Sequence, residues 1–113
     1  MPSYNRGDVW LADLDPTRGH EQAGRRPCLI VSTNLFNNGP AGLVIVAPLT
    51  RRLRNIPTHV AVHPPEAGLR APSFIMCEAV RSVATERLMQ QWGPVSPATI
   101  AAVENRLRIL LEL

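Results

Sequence analysis

The sequence predicts a small, mainly β domain: a barrel of about five short strands, closed by a C-terminal helix. Two observations lead there. Apolar runs of strand length are cut apart by turn-rich segments, and many of the eleven prolines fall between the runs. After Ser96 the apolar spacing changes to that of a helix. The 113 residues suit one domain, 1–113, with a modest core that oligomerisation would reinforce.

The elements follow in order. DVWLADLD (8–15) alternates and is rich in strand formers. Residues 16–26 form a loop with Gly19 and Gly24 as flexible points. PCLIVS (27–32) and LVIVAPL (43–49) are continuous apolar runs, as expected of central strands. Between them, 33–42 has room for one helical turn before Asn38-Gly39-Pro40. TRRLRNIP (50–57) is a basic loop, and 64–72 is a turn-rich connection. THVAVH (58–63) and SFIMCEAVRSV (73–83) read as strands. Residues 84–92 fit either a short helix or a turn into an edge strand. The helix starts at Ser96 as N-cap with Pro97 at the first helical position. Its inward stripe is Ile100, Val103, Leu107, Leu110 and Leu111, and Glu104 and Arg108 suit an i,i+4 pair on the other face.

Composition narrows the chemistry. All twelve basic residues are arginine, against nine acids. Guanidinium forks match phosphate oxygens, so the clusters Arg25-Arg26 and Arg51-Arg52-x-Arg54 point to an anionic partner. Cys28 and Cys77 sit in apolar stretches and read as buried free thiols; neither spacing suggests zinc, and no metal or cofactor is expected. No phosphate-binding Gly-rich loop or hydrolase motif is found. No stretch approaches membrane-spanning length, so a cytoplasmic protein without membrane partners is expected.

The chemistry-bearing stretch is HEQAGRRPCLIVS (20–32). A residue before proline is pushed toward extended backbone, so Arg26 is held at the lip of the strand that Pro27 opens. In an extended pair Arg25 and Arg26 point to opposite sides, so one of them is expected to enter a site. Spacing alone leaves a solvated strand-end charge equally open. His20 can exchange a proton near neutrality, whereas Arg26 stays charged. One arginine and one histidine in a groove permit RNA cleavage by the substrate's own 2′-hydroxyl, without demanding it. Thr50 leaves the buried run VIVAPL, and a hydroxyl there could donate to a phosphate oxygen.

The stretch Arg6-Gly7-Asp8-Val9-Trp10, Asp15-Pro16, Gly19-His20-Glu21-Gln22 and Gly24-Arg25-Arg26-Pro27 resembles the MazF/PemK family of toxins from toxin–antitoxin pairs. VAPLT (46–50), PTHV (57–60) and SFIMCEAVRSV (73–83) extend the resemblance over nearly the whole chain. It implies an SH3-like barrel with a C-terminal helix, assembled as a homodimer. It implies sequence-specific, metal-independent cleavage of single-stranded RNA to 2′,3′-cyclic phosphate and 5′-hydroxyl ends. It also implies a cognate antitoxin whose acidic segment covers the RNA groove. Carried over residue by residue, Arg26 becomes transition-state stabiliser and candidate acid, and Thr50 a phosphate contact. Glu21 and His20 become the further catalytic candidates. In the PemK-like branch His works with an Arg-x-Asp pair on a later strand; here Met76 and Glu78 stand there, so that arginine is missing. Gln22, Arg25, Arg51, Arg52, Ser73, Glu78 and Arg81 are the candidate RNA contacts. Base stacking needs Trp10, Phe36 or Trp92 to be exposed, and Trp10 reads as core.

A gyrase-binding toxin of CcdB type, without nuclease activity, is the alternative. Its activity lies in a Trp-Gly-Ile ending, whereas this chain ends LRILLEL, all helix-like. An inactive RNA- or antitoxin-binding relative is a third reading, against which the presence of both Arg26 and Thr50 argues.

Overall fold

The structure, a computed structural model, describes residues 3–14 and 24–113. Seven strands form one antiparallel sheet: β1 (Asp8–Asp13), β2 (Arg25–Ile30), β3 (Leu43–Thr50), β4 (His59–Val62), β5 (Ser73–Met76), β6 (Arg81–Ala84) and β7 (Leu88–Pro94). They run β4-β5-β3-β2-β1-β7, with β6 also on β3. The short helix α1 (Asn34–Asn37) follows β2, and α2 (Pro97–Leu111) ends the fold. Among the described residues β4 and β7 do not pair, so the expected barrel is an open sheet rather than a closed one. The class, mainly β with a C-terminal helix, is as expected.

The middle strands are buried on both faces. Val9, Leu29, Ala47 and Leu49 join Val60, Val62, Ile75 and Val103 in one core cluster. Their sequence neighbours Trp10, Cys28, Ile30 and Val46 join Ala12, Leu14, Val44, Val83 and Leu88 in a second. This explains the near-continuous apolar runs, which a one-sided sheet would not require. Trp10 is 7% exposed, so the expectation that it is core holds.

Two readings are corrected. The run 73–83 is not one strand: a 3-10 turn at Cys77–Ala79 divides it into β5 and β6. Both pieces lie along one edge of β3, β6 against Leu43–Val46 and β5 against Leu49–Thr50. The ambiguous segment 84–92 becomes a 3-10 turn (Thr85–Arg87) leading into edge strand β7. The cause is the same in both places. Burial follows the tertiary partner of each segment, and a bend of a few residues leaves little trace in an apolar pattern.

Helix α2 begins as read, with the Ser96 side chain accepting the Thr99 N–H and Pro97 in the first turn. Ile100, Val103 and Leu107 pack on the first core cluster. Leu110 and Leu111 do not; they are 39% and 57% exposed, because the last turn runs past the sheet. Glu104 reaches back to Arg6 at 2.9 Å instead of pairing with Arg108. Arg6 also donates through Nε to the Val31 carbonyl (3.0 Å), so one guanidinium ties the exit of β2 to α2.

The N-terminus of α2 is held by a second device. Glu66 Oε2 accepts the Ser96 N–H (3.0 Å) and the Thr99 hydroxyl (2.5 Å). Burial alone would raise the Glu66 carboxyl, but the hydrogen bonds from Thr99 and Ser96 outweigh it and hold the group below its ordinary 4.5. Its pKa is lower folded than unfolded, so the contribution is full above about pH 4.5 and lost as pH falls through the folded value. Replacing Glu66 by Gln is therefore expected to cost roughly 1–2 kcal/mol at pH 7. Urea titrations from pH 7 to pH 3 should also show a shallower acid loss for the variant; parallel curves would count against this role.

Candidate functional site

Pro48 has no N–H to donate, and the ladders on both sides of β3 break around it. Pairing with β2 ends at Cys28–Pro48, pairing with β6 ends at Val46, and pairing with β5 starts at Leu49. A groove of about 850 Å³ opens at this parting. Its walls include Arg25, Arg26 and Pro27 of β2, and Leu49, Thr50 and Arg51 at the end of β3. Leu69, Arg70 and Ala71 of the 64–72 connection and Gln90, Gln91 and Trp92 of β7 line it as well, with Leu11 and Ser73.

Two residues of the groove stand at this parting. The last β2–β3 pair is Cys28–Pro48; Arg26 lies two residues before Cys28 and Thr50 two residues after Pro48, so both stand where the strands part. Arg26 pairs on its other side with Ala12, and Thr50 with Phe74. Arg26 and Thr50 both line the groove that opens there. Thr50 Oγ1 accepts the Arg52 N–H at 3.2 Å, which leaves the hydroxyl proton to give to a ligand oxygen. Both Arg25 and Arg26 line the groove, where alternation expects only one. They differ in setting: Arg26 is half-buried and Arg25 exposed.

The electrostatic character is cationic. Arg25, Arg51 and Arg70 are exposed around the groove and have no ion-pair partner among the described residues. Unpaired guanidinium groups converging on one concavity favour a polyanion. The thiols add nothing nucleophilic. Burial pushes Cys28 up to about 12, although the Arg81 and Arg26 charges pull the other way. Burial, with the Glu78 charge beside it, pushes Cys77 up to about 11. Both stay protonated at neutral pH.

Other sequence candidates fall elsewhere. Ser73 lines the groove but is 3% exposed, and its hydroxyl donates to the Ala71 carbonyl (3.1 Å). Arg52 is exposed outside the groove lining. Arg81 sits on β6 opposite Val46, away from the groove walls. Glu78 is turned to other partners: Thr58 donates to Oε1 at 2.7 Å, and His59 Nε2 lies 2.8 Å from Oε2. Burial would raise that carboxyl, but the Thr58 and His59 contacts prevail and lower it. His20, Glu21 and Gln22 lie outside the described residues. Among the described residues no group of three or more His, Cys, Asp or Glu could hold a metal ion.

Sequence reasoning missed Arg70 and Gln90, and held Trp92 only as a stacking candidate if exposed. Each comes from a segment remote in the chain. A small signal existed in Gly68, two residues before Arg70. Gly68 has φ +69°, and a Cβ there would lie 2.6 Å from the Trp92 carbonyl oxygen. Only glycine lets this loop close onto β7.

An open antiparallel sheet with a C-terminal helix and an arginine-lined groove at a strand parting defines a small β protein with a cationic groove. Comparison with known proteins makes this specific. The family of PemK-like, MazF-like toxins of type II toxin–antitoxin systems matches residues 5–111, and the chain belongs to it. It is 34% identical to Endoribonuclease MazF9 of Mycobacterium tuberculosis, over 96% of each chain. Its fold is similar to MazF of Deinococcus radiodurans, with TM-score 0.86, 28% identity and full coverage of both chains. It is also similar to a mycobacterial endoribonuclease solved with its cognate antitoxin, with TM-score 0.82, 30% identity and coverage of 98% and 97%. Nothing in these matches supports the gyrase-binding alternative.

Substituting Gly68 by Ala forces both the left-handed backbone and the contact with Trp92, at a cost of at least about 1 kcal/mol. Urea denaturation is expected to show this loss; a variant as stable as the parent would mean the loop can move off β7.

Proposed function

We propose that the chain is the toxin of a type II pair and acts as a sequence-specific, metal-independent endoribonuclease on single-stranded RNA. The observation that carries this reading is that Arg26 and Thr50 line one groove ringed by Arg25, Arg51 and Arg70, in a chain of this toxin family. The chemistry needs little from the protein. The 2′-oxygen bonds to the adjacent phosphorus while the P–O5′ bond breaks. The products are a 2′,3′-cyclic phosphate and a 5′-hydroxyl. The fixed charge of Arg26 faces the dianionic phosphorane, and the Thr50 hydroxyl donates to one of its oxygens. His20 and Glu21 are the candidates to take the 2′-proton, and a proton must also reach O5′.

Arg25, Arg51 and Arg70 hold the backbone on either side of the reacting phosphate, and Gln22 and Arg52 are further candidate contacts. The acidic segment of a cognate antitoxin would fill the same cationic groove. No helix among the described residues is long and apolar enough to cross a membrane; we place the protein in the cytoplasm. Two copies are expected to associate. Ile109, Leu111 and Leu113, 57–80% exposed at the end of α2, form apolar surface that a lone chain leaves in water.

Replacing Arg26 by Ala is expected to lower cleavage of single-stranded RNA in EDTA at least hundredfold with the melting profile unchanged. Unchanged cleavage by this variant would remove Arg26 from the site. Supercoiling by gyrase should be untouched by the purified protein; inhibition without RNA cleavage would reverse the reading.

Backbone contacts can be counted separately. For single strands the slope of log affinity against log salt is about −0.7 per neutralised phosphate. Arg51→Ala and Arg70→Ala should each reduce the magnitude of that slope by about this amount. An unchanged slope would place that arginine outside the RNA path.

A further inference from the structure

We propose that Trp92, flanked by Gln90 and Arg70, is the seat of one unpaired nucleobase of the bound strand. The inference rests on the endoribonuclease reading and names a subsite within it. Three features support it.

The first is aim. In the pairing of β1 with β7, Trp10 faces Gln91 and Val9 faces Gly93, so Trp92 is the extra residue of a β-bulge. A bulge bends its strand and redirects the side chain it carries. Gln90 pairs with Leu11, which itself lines the groove, while Gln91, also at the groove wall, pairs with Trp10 of the second core cluster. With the bulge at Trp92, Gln90 and Trp92 share the groove wall.

The second is rigidity. Trp92 packs against the first core cluster while lining the groove. Its carbonyl is approached so closely by Gly68 that no side chain fits between them. A fixed, half-buried indole can receive a base with little ordering cost.

The third is chemistry. Among the described residues Trp92 is the sole aromatic of the groove wall. Every base has a π-face, so an indole binds any of them, and discrimination must come from polar neighbours. Gln91 is committed, its Nε2 donating to Asp8 Oδ2 at 2.8 Å. Gln90 is exposed, with an amide that can both donate to and accept from a base edge. Arg70 is exposed on the facing loop and supplies a charge for the adjoining phosphate.

The test uses short 2′-O-methyl oligo(A), oligo(C) and oligo(U), whose blocked 2′-oxygens prevent cleavage. Binding is read by anisotropy of labelled strands and by tryptophan emission. Wild-type emission should be quenched on saturation, and the quench should vanish in Trp92→Phe, where only buried Trp10 still emits. Trp92→Phe should bind within about threefold of wild type, and Trp92→Leu roughly tenfold to hundredfold more weakly. Gln90→Ala, at an exposed position that leaves the core intact, should alter the ranking of the three strands. Binding shared equally by wild type and Trp92→Leu, or saturation without quenching, overturns the subsite alone. No saturable binding by the wild-type chain overturns the subsite and the nuclease reading together.

Discussion

The structure turns on β3, which must satisfy three strands with one backbone and has a proline near its end. Its first half takes β6 on one edge, its middle takes β2 on the other, and its last two residues take β5. Pro48 interrupts the supply of N–H donors where these ladders meet, so β2 and β3 separate beyond it. A parted pair of strands exposes backbone that a closed barrel would cover. Here that exposed corner is where Arg26, Thr50 and their cationic neighbours converge. The groove is a consequence of how the sheet ends.

Much of this was legible in the sequence, for identifiable reasons. Strands buried on both faces leave continuous apolar runs, so β2 and β3 were visible. The α2 start was visible because a serine N-cap and a proline in the first turn act locally. What was hidden depended on partners far along the chain. The division of 73–83 follows from β3 having room for two short strands along one edge. The Glu104 partner turned out to be Arg6, which no local spacing could reveal. The outward turn of Leu110 and Leu111 depends on how far the sheet extends beneath the helix. The site divides in the same way. Arg26 and Thr50 were readable because proline and strand ends fix them locally. Arg70 and Trp92 reach the groove only through a loop closure and a bulge, and a bulge has no periodic signature.

The two arginines of the Gly-Arg-Arg-Pro stretch have unlike settings for one physical reason. Arg26 pairs with Ala12, is half-buried, and is near enough to Cys28 for its charge to act on the thiol. A guanidinium so held loses little freedom when it meets a phosphorane. Arg25 is exposed and keeps its conformational freedom until a strand arrives. The first setting suits a reacting centre and the second suits a backbone contact whose strength varies with salt. The buried thiols nearby stay neutral, so they do not compete for these charges.

The connection between β4 and β5 joins the helix seat to the groove. Within five residues Glu66 caps α2, Gly68 abuts the Trp92 carbonyl, and Arg70 stands at the groove wall. These contacts fix the loop from both sides. A disturbance at the Glu66 cap would be felt at Arg70, because the intervening Ala67 is buried and held at φ 59°. Left-handed backbone at a non-glycine residue persists only where its surroundings impose it. The loop backbone therefore has little room to drift, and it holds Arg70 at the groove wall beside a half-buried indole. A polyanion entering the groove would meet an aromatic surface already in place, and the ordering cost would fall on the exposed arginine side chains.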